Sequence, residues 1–213
     1  LILKIFKILI PFVCCLYCSS AWPLISKDLG LTKTDIANLK RAQDQLNLTR
    51  TLKARFVQIS SNGEFSEGQL LLKRPGRLSL IYDPPNPLMV VADGKYISFV
   101  DRDVDEATTL LLSLTQAAFI LQEKVSFFSD DLIVIGYDQR PGFLKISITK
   151  SDSPLEGKLT LIFNDTPLEL RKWVITDSQG IITTVSLLNS ELNIPIEKKH
   201  FIYKPKIKFD FNN

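Results

Sequence analysis

Alternation with a period of two dominates the chain after residue 50 and sets the class of fold. Apolar and polar side chains alternate over short runs, as a strand with one buried face requires. Turn signals such as Asn62-Gly63 and Asp93-Gly94 separate consecutive runs, and both pairs are typical of tight hairpins. No repeat of fixed length and no Gly/Ser linker interrupts the series. The pattern therefore predicts a mainly β (α+β) domain built from consecutive antiparallel hairpins.

We predict eleven strands and two helices. A sheet of that size is expected to curve strongly or to close partly into a barrel, with both helices covering its concave face. The first helix would span residues 34–48, with Thr34 or Asp35 as its cap. The second would span residues 103–123. The buried face of the first helix would contain Ile36, Leu39, Ala42 and Leu46. The strands would begin near residue 52 and then cover 67–74, 78–82, 88–92, 96–100, 131–137, 143–150, 158–163, 168–176, 180–189 and 199–204.

Residues 1–21 have the pattern of a signal peptide. Two lysines precede an apolar run over residues 8–18, and the small residues Ser19-Ser20-Ala21 follow. An uncleaved membrane anchor is the alternative, but it needs about 20 apolar residues, more than this run supplies. Cleavage would remove all three cysteines and leave 24 basic and 23 acidic side chains in residues 22–213. We therefore expect residues 22–213 to form a single exported domain without disulfides.

Composition and motif spacing argue against several classes of function. A charge so close to neutral lacks the basic excess that nucleic-acid binding requires. A single histidine, His200, is too few for a three-histidine metal site and disfavours a histidine-based triad. The acidic run at 101–106 lacks the glycine and glutamate positions of a calcium loop. We find neither a phosphate loop nor a nucleophile elbow. The sequence therefore predicts no catalytic site, metal or cofactor.

Arg74 conflicts with the apolar face on which strand parity places it. It shares that face with Leu70 and Leu72, and a charge buried there without partners would cost several kcal/mol. Two interpretations are open. The side chain reaches water where its strand ends before Pro75, or it stays inside and donates hydrogen bonds to backbone carbonyls of a covering helix.

The unusually apolar stretch at 110–121 also has two interpretations. It is either a core helix packed on the sheet or a lid over an apolar cavity, whose contacts are released when a ligand enters. The lid would use Leu110, Leu111, Leu112, Leu114, Phe119 and Ile120.

Several segments together resemble the LolA family of periplasmic lipoprotein carriers. The most specific is the run L-L-K-R-P-G-R at 71–77, followed after a strand by Asp93-Gly94-Lys95. The other similar segments are Phe56-Val57-Gln58, Glu67-Gly68-Gln69-Leu70, Tyr82-Asp83-Pro84-Pro85, Val90-Val91-Ala92 and Trp173–Gly180. The resemblance extends over about residues 34–205.

The resemblance implies an incomplete eleven-strand antiparallel barrel, covered by helices, whose cavity holds the acyl chains of a lipoprotein. Arg74 matches the family's cavity arginine, which bonds to the covering region in the closed form and would act as a latch. Many members have tryptophan after the R-P motif, where this chain has Leu80, so its cavity is expected to differ in shape. The expected cavity residues are Phe56, Leu70, Leu72, Leu78, Leu80 and Tyr82.

The same resemblance implies a monomeric carrier in the periplasm. It would take lipidated proteins from an inner-membrane ABC-type transporter and pass them to an outer-membrane lipoprotein acceptor. A carrier of free lipid or of another hydrophobic ligand would need the same cavity, so this alternative stays open. A receptor anchored by its own lipid and an enzyme with an apolar pocket are two further alternatives, and the second lacks any cluster of acid–base or nucleophilic residues.

Overall fold

One antiparallel sheet of eleven strands forms most of the computed structural model, which describes residues 29–203. The fold class predicted from the sequence is confirmed: the sheet is strongly curved and is not closed into a barrel. In chain order the strands are β1 (Thr51–Ser60), β2 (Phe65–Lys73), β3 (Arg77–Tyr82), β4 (Leu88–Asp93), β5 (Tyr96–Asp101), β6 (Glu106–Leu111), β7 (Leu132–Arg140), β8 (Phe143–Lys150), β9 (Gly157–Asp165), β10 (Leu168–Asp177) and β11 (Ile182–Leu192).

The strand order is β6-β5-β4-β3-β2-β1-β11-β10-β9-β8-β7, so the first and last strands pair at the centre. Every other neighbouring pair is a consecutive hairpin. The two edges are β6 and β7, which are consecutive in the chain, and residues 112–131 connect them. Register shifts in β1, β7 and β10 mark bulges, which increase local twist and help a sheet to curve.

The first helix, α1 (Lys33–Leu48), agrees with the predicted helix to within one residue at its start. Its cap is Thr32, which forms a capping box with Asp35, so the prediction of Thr34 or Asp35 as the cap is wrong. Ile36 is 47% exposed and does not belong to the buried face. The predicted residues that are buried are Leu39, Ala42 and Leu46.

The second predicted helix, over residues 103–123, is wrong. Residues 106–111 form edge strand β6, which pairs with β5, and every residue of β6 is exposed. A 3₁₀ turn (Leu112–Leu114) and a short helix, α2 (Ala117–Leu121), follow. An exposed edge strand buries neither face, so it shows no period-two alternation, and its partner strand rather than its own propensity determines its conformation.

The last predicted strand, over residues 199–204, is also wrong. Lys198–Phe201 form a 3₁₀ turn, and Phe201 packs with Leu71 and Ile196 in a small cluster separate from the main core. The predicted total of eleven strands is nevertheless right, because this false strand compensates for the missed β6.

The main core lies between the concave face of the sheet, α1 and the segment 112–127. Within residues 29–203 no helix is both long enough and apolar enough to cross a bilayer. The predicted signal peptide, residues 1–21, lies outside the described residues, so it stays a prediction.

Candidate functional site

An apolar cavity of about 320 Å³ lies inside the curve of the sheet. Strands β2 to β5 supply one wall and β10 and β11 supply the other, with Trp173 and Val185 on the second wall. None of the residues that line it carries a charge. Among the six side chains predicted for the cavity, the lining ones are Leu72, Leu78, Leu80 and Tyr82.

Phe56 and Leu70 lie on the same face of the sheet as these four residues but do not line the cavity. Both are fully buried, and Phe56 packs edge-on against Tyr82 with ring centroids 5.0 Å apart. Gly68 lies opposite both rings in the sheet register, and an added Cβ there would approach the Ile81 carbonyl oxygen. Phe56 and Leu70 therefore pack beside the cavity-lining side chains Tyr82 and Leu80.

The segment from 112 to 121 roofs the cavity. Ile120 and Leu121 face the cavity, and Leu112 and Phe119 are also buried. The other three side chains predicted for the lid lie on the outside: Leu110 and Leu111 at the edge of β6, and Leu114, which is 66% exposed. A second, more polar cavity of about 260 Å³ lies against Ser113, Thr115, Gln116, Ala118 and Phe119. The roof therefore has a cavity on each of two sides.

Arg74 follows the last residue of β2 and is 7% exposed, so of the two interpretations the structure has the internal one. Its Nε donates to the Ile120 carbonyl at 2.8 Å, and its Nη1 donates to the Leu46 carbonyl. Leu46 lies in the last turn of α1, where the helix dipole favours a cation. This last turn contains no basic residue of its own. One guanidinium therefore ties α1 and the roof segment to the sheet.

The charge on Arg74 is costly in this position. No carboxylate among residues 29–203 pairs with it, and its hydrogen-bond acceptors are backbone carbonyls. Burial, reinforced by repulsion from Arg50, lowers the pKa of Arg74 to about 10, so the side chain is still protonated at neutral pH. The closed arrangement therefore combines two strong hydrogen bonds with an uncompensated buried charge.

Three further contacts fasten the roof and its continuation. Gly76 donates its N–H to the Leu121 carbonyl at 2.7 Å; its φ is +74°, and a Cβ there would collide with the Gly94 backbone. Asn47 of α1 donates to the Val125 carbonyl at 2.9 Å and accepts from the Val125 N–H at 2.8 Å. Gln43 accepts from the Phe127 N–H. The contacts near Arg74 thus hold the roof at one end.

One functional candidate escaped the sequence reasoning: a polar pair inside the cavity. Tyr82 donates its hydroxyl hydrogen to Gln58 Oε1 at 2.7 Å, and both side chains line the cavity wall. The signal was present, because Gln58 follows Ala54 and Phe56 on the same strand face and breaks their apolar run. Among residues 29–203 no group of three His, Cys, Asp or Glu side chains could hold a metal.

An open half-barrel that encloses an uncharged apolar cavity under a fastened roof is the architecture of a protein that holds apolar ligands. The family model described as "Outer membrane lipoprotein carrier protein LolA" matches residues 47–204, and the chain belongs to this family. The resemblance noted in the sequence is thereby confirmed.

Individual proteins agree with this assignment. An outer-membrane lipoprotein carrier protein of Pseudomonas paraeruginosa is 27% identical over 178 residues, which cover 79% of this chain and 84% of that protein. An uncharacterized protein of Rickettsia prowazekii is 25% identical over 140 residues, and the match spans 64% of each chain. The crystal structure of a DUF1329 family protein from Desulfovibrio piger has a TM-score of 0.50 at 10% identity, covers 81% of this chain and 98% of its own, and shares the fold.

Proposed function

We propose that this protein carries lipoproteins by enclosing their acyl chains in the cavity under residues 112–121. One observation carries the proposal: the cavity is mainly apolar and has no charged lining, and the buried Arg74 ties its roof to the sheet and to α1. The name shared by the family model and the Pseudomonas relative, lipoprotein carrier, supports the same cargo. The latch role of Arg74, the lid and the cavity residues are parts of this proposal.

A lipoprotein needs such a carrier because its acyl chains are apolar and the space to be crossed is aqueous. An acyl chain exposed to water costs about 0.8 kcal/mol per CH₂ group. Three long chains would therefore cost on the order of 30 kcal/mol if they crossed an aqueous gap uncovered. A cavity without charged groups removes that cost and leaves the protein part of the cargo in water.

The size of the cavity indicates that the structure is the closed form. A volume of about 320 Å³ lies at the small end of the range for ligand pockets, about 300–1,000 Å³. A cargo with several long chains needs more room, so loading must displace the roof. The hydrogen bonds from Arg74 to Ile120 and Leu46 would then be broken in the loaded form and remade on release.

The remaining features of the proposal concern place and partners. Residues 1–21 would direct export, and residues 22–213 would work as one monomeric domain in the periplasm. An inner-membrane ABC-type transporter would supply the lipoprotein, and an outer-membrane lipoprotein would accept it. The chain would catalyse no reaction, since proteins of the carrier family act by binding.

Crosslinking from inside the cavity tests the proposal. A photoreactive amino acid replaces Leu80, which lines the cavity, in the protein expressed in its own host. The matched control places it at the next residue, Ile81, whose side chain lies on the opposite face of β3. Lipidated proteins captured at 80 and absent at 81 support the carrier function. Capture of free lipids alone at Leu80 would show that the protein carries lipid and that the lipoprotein proposal is wrong.

A further inference from the structure

The hydrogen-bonded pair Gln58–Tyr82 is the polar feature inside the cavity that the carrier function leaves unexplained. Gln58 lies near the end of β1, and Tyr82 is the last residue of β3. Arg74 lies at the opposite end of these strands, where its N–H bonds to the Arg50 carbonyl just before β1. The cavity wall is therefore apolar at Leu72 and Leu78, the Gln58–Tyr82 pair lies at the end away from Arg74, and the other polar side chains of the lining are Thr115 and Gln116 of the roof and Thr183 of β11.

The pair holds an amide donor in a fixed orientation. Tyr82 is 3% exposed, its ring packs on Phe56, and its hydroxyl donates to Gln58 Oε1 at 2.7 Å. The amide oxygen is thereby occupied, while the Gln58 amide nitrogen, with two N–H donors, has no hydrogen-bond partner among residues 29–203. A donor that lines an apolar cavity gains most from a ligand that brings an acceptor to it.

The chemistry of the surroundings restricts what that acceptor can be. The cavity lining contains no cation, so nothing there offsets the cost of bringing in a carboxylate. Burial raises the pKa of Tyr82 to about 12, so the phenol remains neutral and keeps donating to Gln58 at physiological pH. The matching ligand group is an uncharged carbonyl attached to a long apolar chain.

We propose that the Gln58–Tyr82 pair binds the ester carbonyl of an esterified acyl chain and so selects esterified over free or ether-linked chains. The inference rests on the proposed function, because it names the chemical group that the same cavity recognises. Ester carbonyls of this kind occur in diacylglyceryl-modified peptides and in diacyl phospholipids. In either source the chain would extend from Gln58 towards Leu72 and Leu78, and the headgroup would lie outside.

Paired ligands that differ only at the linkage test this selection. Binding to the purified protein is measured for a synthetic diacylglyceryl-cysteine peptide and for its dialkyl ether analogue of equal chain length. A diacyl phospholipid and its dialkyl analogue, measured in parallel, distinguish the two sources of the ester. We expect tighter binding of the ester in at least one pair, by roughly three- to tenfold, the range for one neutral hydrogen bond.

Two variants connect that preference to the pair. Gln58→Leu removes the donor and should bind the ester and the ether equally, with ether affinity retained. Tyr82→Phe frees the amide to turn and should reduce the preference. Gln69→Leu, on an exposed position of neighbouring β2, is the matched control and should keep it.

The outcomes separate this inference from the proposed function. If the unaltered protein binds both linkages equally, or if Gln58→Leu keeps the full ester preference, the role of the pair is wrong while the carrier function stands. If neither the diacylglyceryl-cysteine peptide nor its ether analogue binds at all, the proposed function itself fails, whether or not the phospholipids bind. Thermal unfolding of each variant shows whether a loss of binding reflects a loss of fold.

Discussion

At the scale of single residues, Arg74 is the buried charge that connects the sheet to both α1 and the roof. Its two hydrogen bonds join Leu46 of α1 and Ile120 of the roof to the end of β2, next to the bond from Gly76 to Leu121. Because the guanidinium is charged and buried without an acid, the closed form is less stable than two hydrogen bonds alone would make it. A fastening of moderate strength suits a cover that must open and close again.

Arg74→Leu is expected to favour the open form and to slow the release of cargo. Each hydrogen bond to the charged group contributes about 1.5–3 kcal/mol, and removal of the buried charge offsets part of this loss, so the open form should gain population by roughly the worth of one such bond. The measurement is the transfer of a lipidated protein from the purified carrier to acceptor-bearing vesicles. Arg77→Leu, on the other face of the adjacent strand, is the control. Transfer by Arg74→Leu at the normal rate would contradict the latch role.

Tyr82 should make the folded protein sensitive to alkali. Its pKa is about 12 in the folded state and about 10 in an unfolded chain. The folded state therefore holds the proton more tightly between pH 10 and 12, and stability falls as pH rises through that window. The free energy of unfolding of the unaltered protein should fall by on the order of 2 kcal/mol across the window, and that of Tyr82→Phe should not show this fall. The free energy of unfolding, measured at several pH values, checks this; parallel pH profiles would contradict it. The lowered pKa of Arg74 makes stability rise with pH in the same range, but this effect is equal in the unaltered protein and in Tyr82→Phe.

At the scale of elements, the sequence predicted those that bury one face and missed those that do not. The alternation in β1, β2 and β3 gave their positions and the buried face that contains Arg74. Strand β6 has no buried residue, and its pairing with β5 determines its conformation, so the sequence pattern alone predicted part of a helix. Residues 198–201, at the start of the last predicted strand, pair with no strand of the sheet and form a 3₁₀ turn instead.

The alternation pattern shows which face of a strand is buried but not what that face contacts, and this explains which site residues were predicted correctly. Strand parity placed Leu72, Leu78, Leu80 and Tyr82 on one face, and all four line the cavity. Strand parity does not show which buried residues line a cavity, so it did not distinguish these four residues from Phe56 and Leu70. It also could not find Gln58 as a partner of Tyr82, because that contact depends on the register of β1 with β2 and β3.

Asn47 is the main link between helix α1 and the residues that follow the roof, 122–127. Its side chain both donates to and accepts from the backbone of Val125, much as a neighbouring strand would. We expect Asn47→Ala to lower the free energy of unfolding by about 2 kcal/mol, because two hydrogen bonds are lost. Urea denaturation measures the change. Asp44→Ala, on the exposed face of the same helix, removes a surface ion pair and should cost at most about 0.5 kcal/mol. Equal effects of the two substitutions would show that the Asn47 contact does not stabilise the fold.

At the scale of the whole molecule, the topology explains why one connecting segment covers the concave side of the sheet. The two edges, β6 and β7, are consecutive in the chain, so the segment between them must cross the open side of the curve. The centre, where β1 pairs with β2 and β11, is held by continuous hydrogen-bonded ladders on both sides. The crossing segment has one short helix, one 3₁₀ turn and cavities on two sides. Opening can therefore occur at the cover while the sheet keeps its shape.

Loading should therefore stabilise the protein and loosen its cover at the same time. A diacylglyceryl peptide present at 100 times its Kd should raise the free energy of unfolding by about 2.7 kcal/mol, because it binds only the folded state. Amide hydrogen exchange should slow in the walls at β3 and β11, since the chains pack against them. Exchange should become faster over α2 (Ala117–Leu121), where the Arg74 and Gly76 contacts are broken. In Arg74→Leu the exchange over α2 should already be fast without ligand, and loading should change it little. Slower exchange over α2 on loading of the unaltered protein would mean that cargo enters beneath an intact cover, and the closed structure would then be the one that carries it.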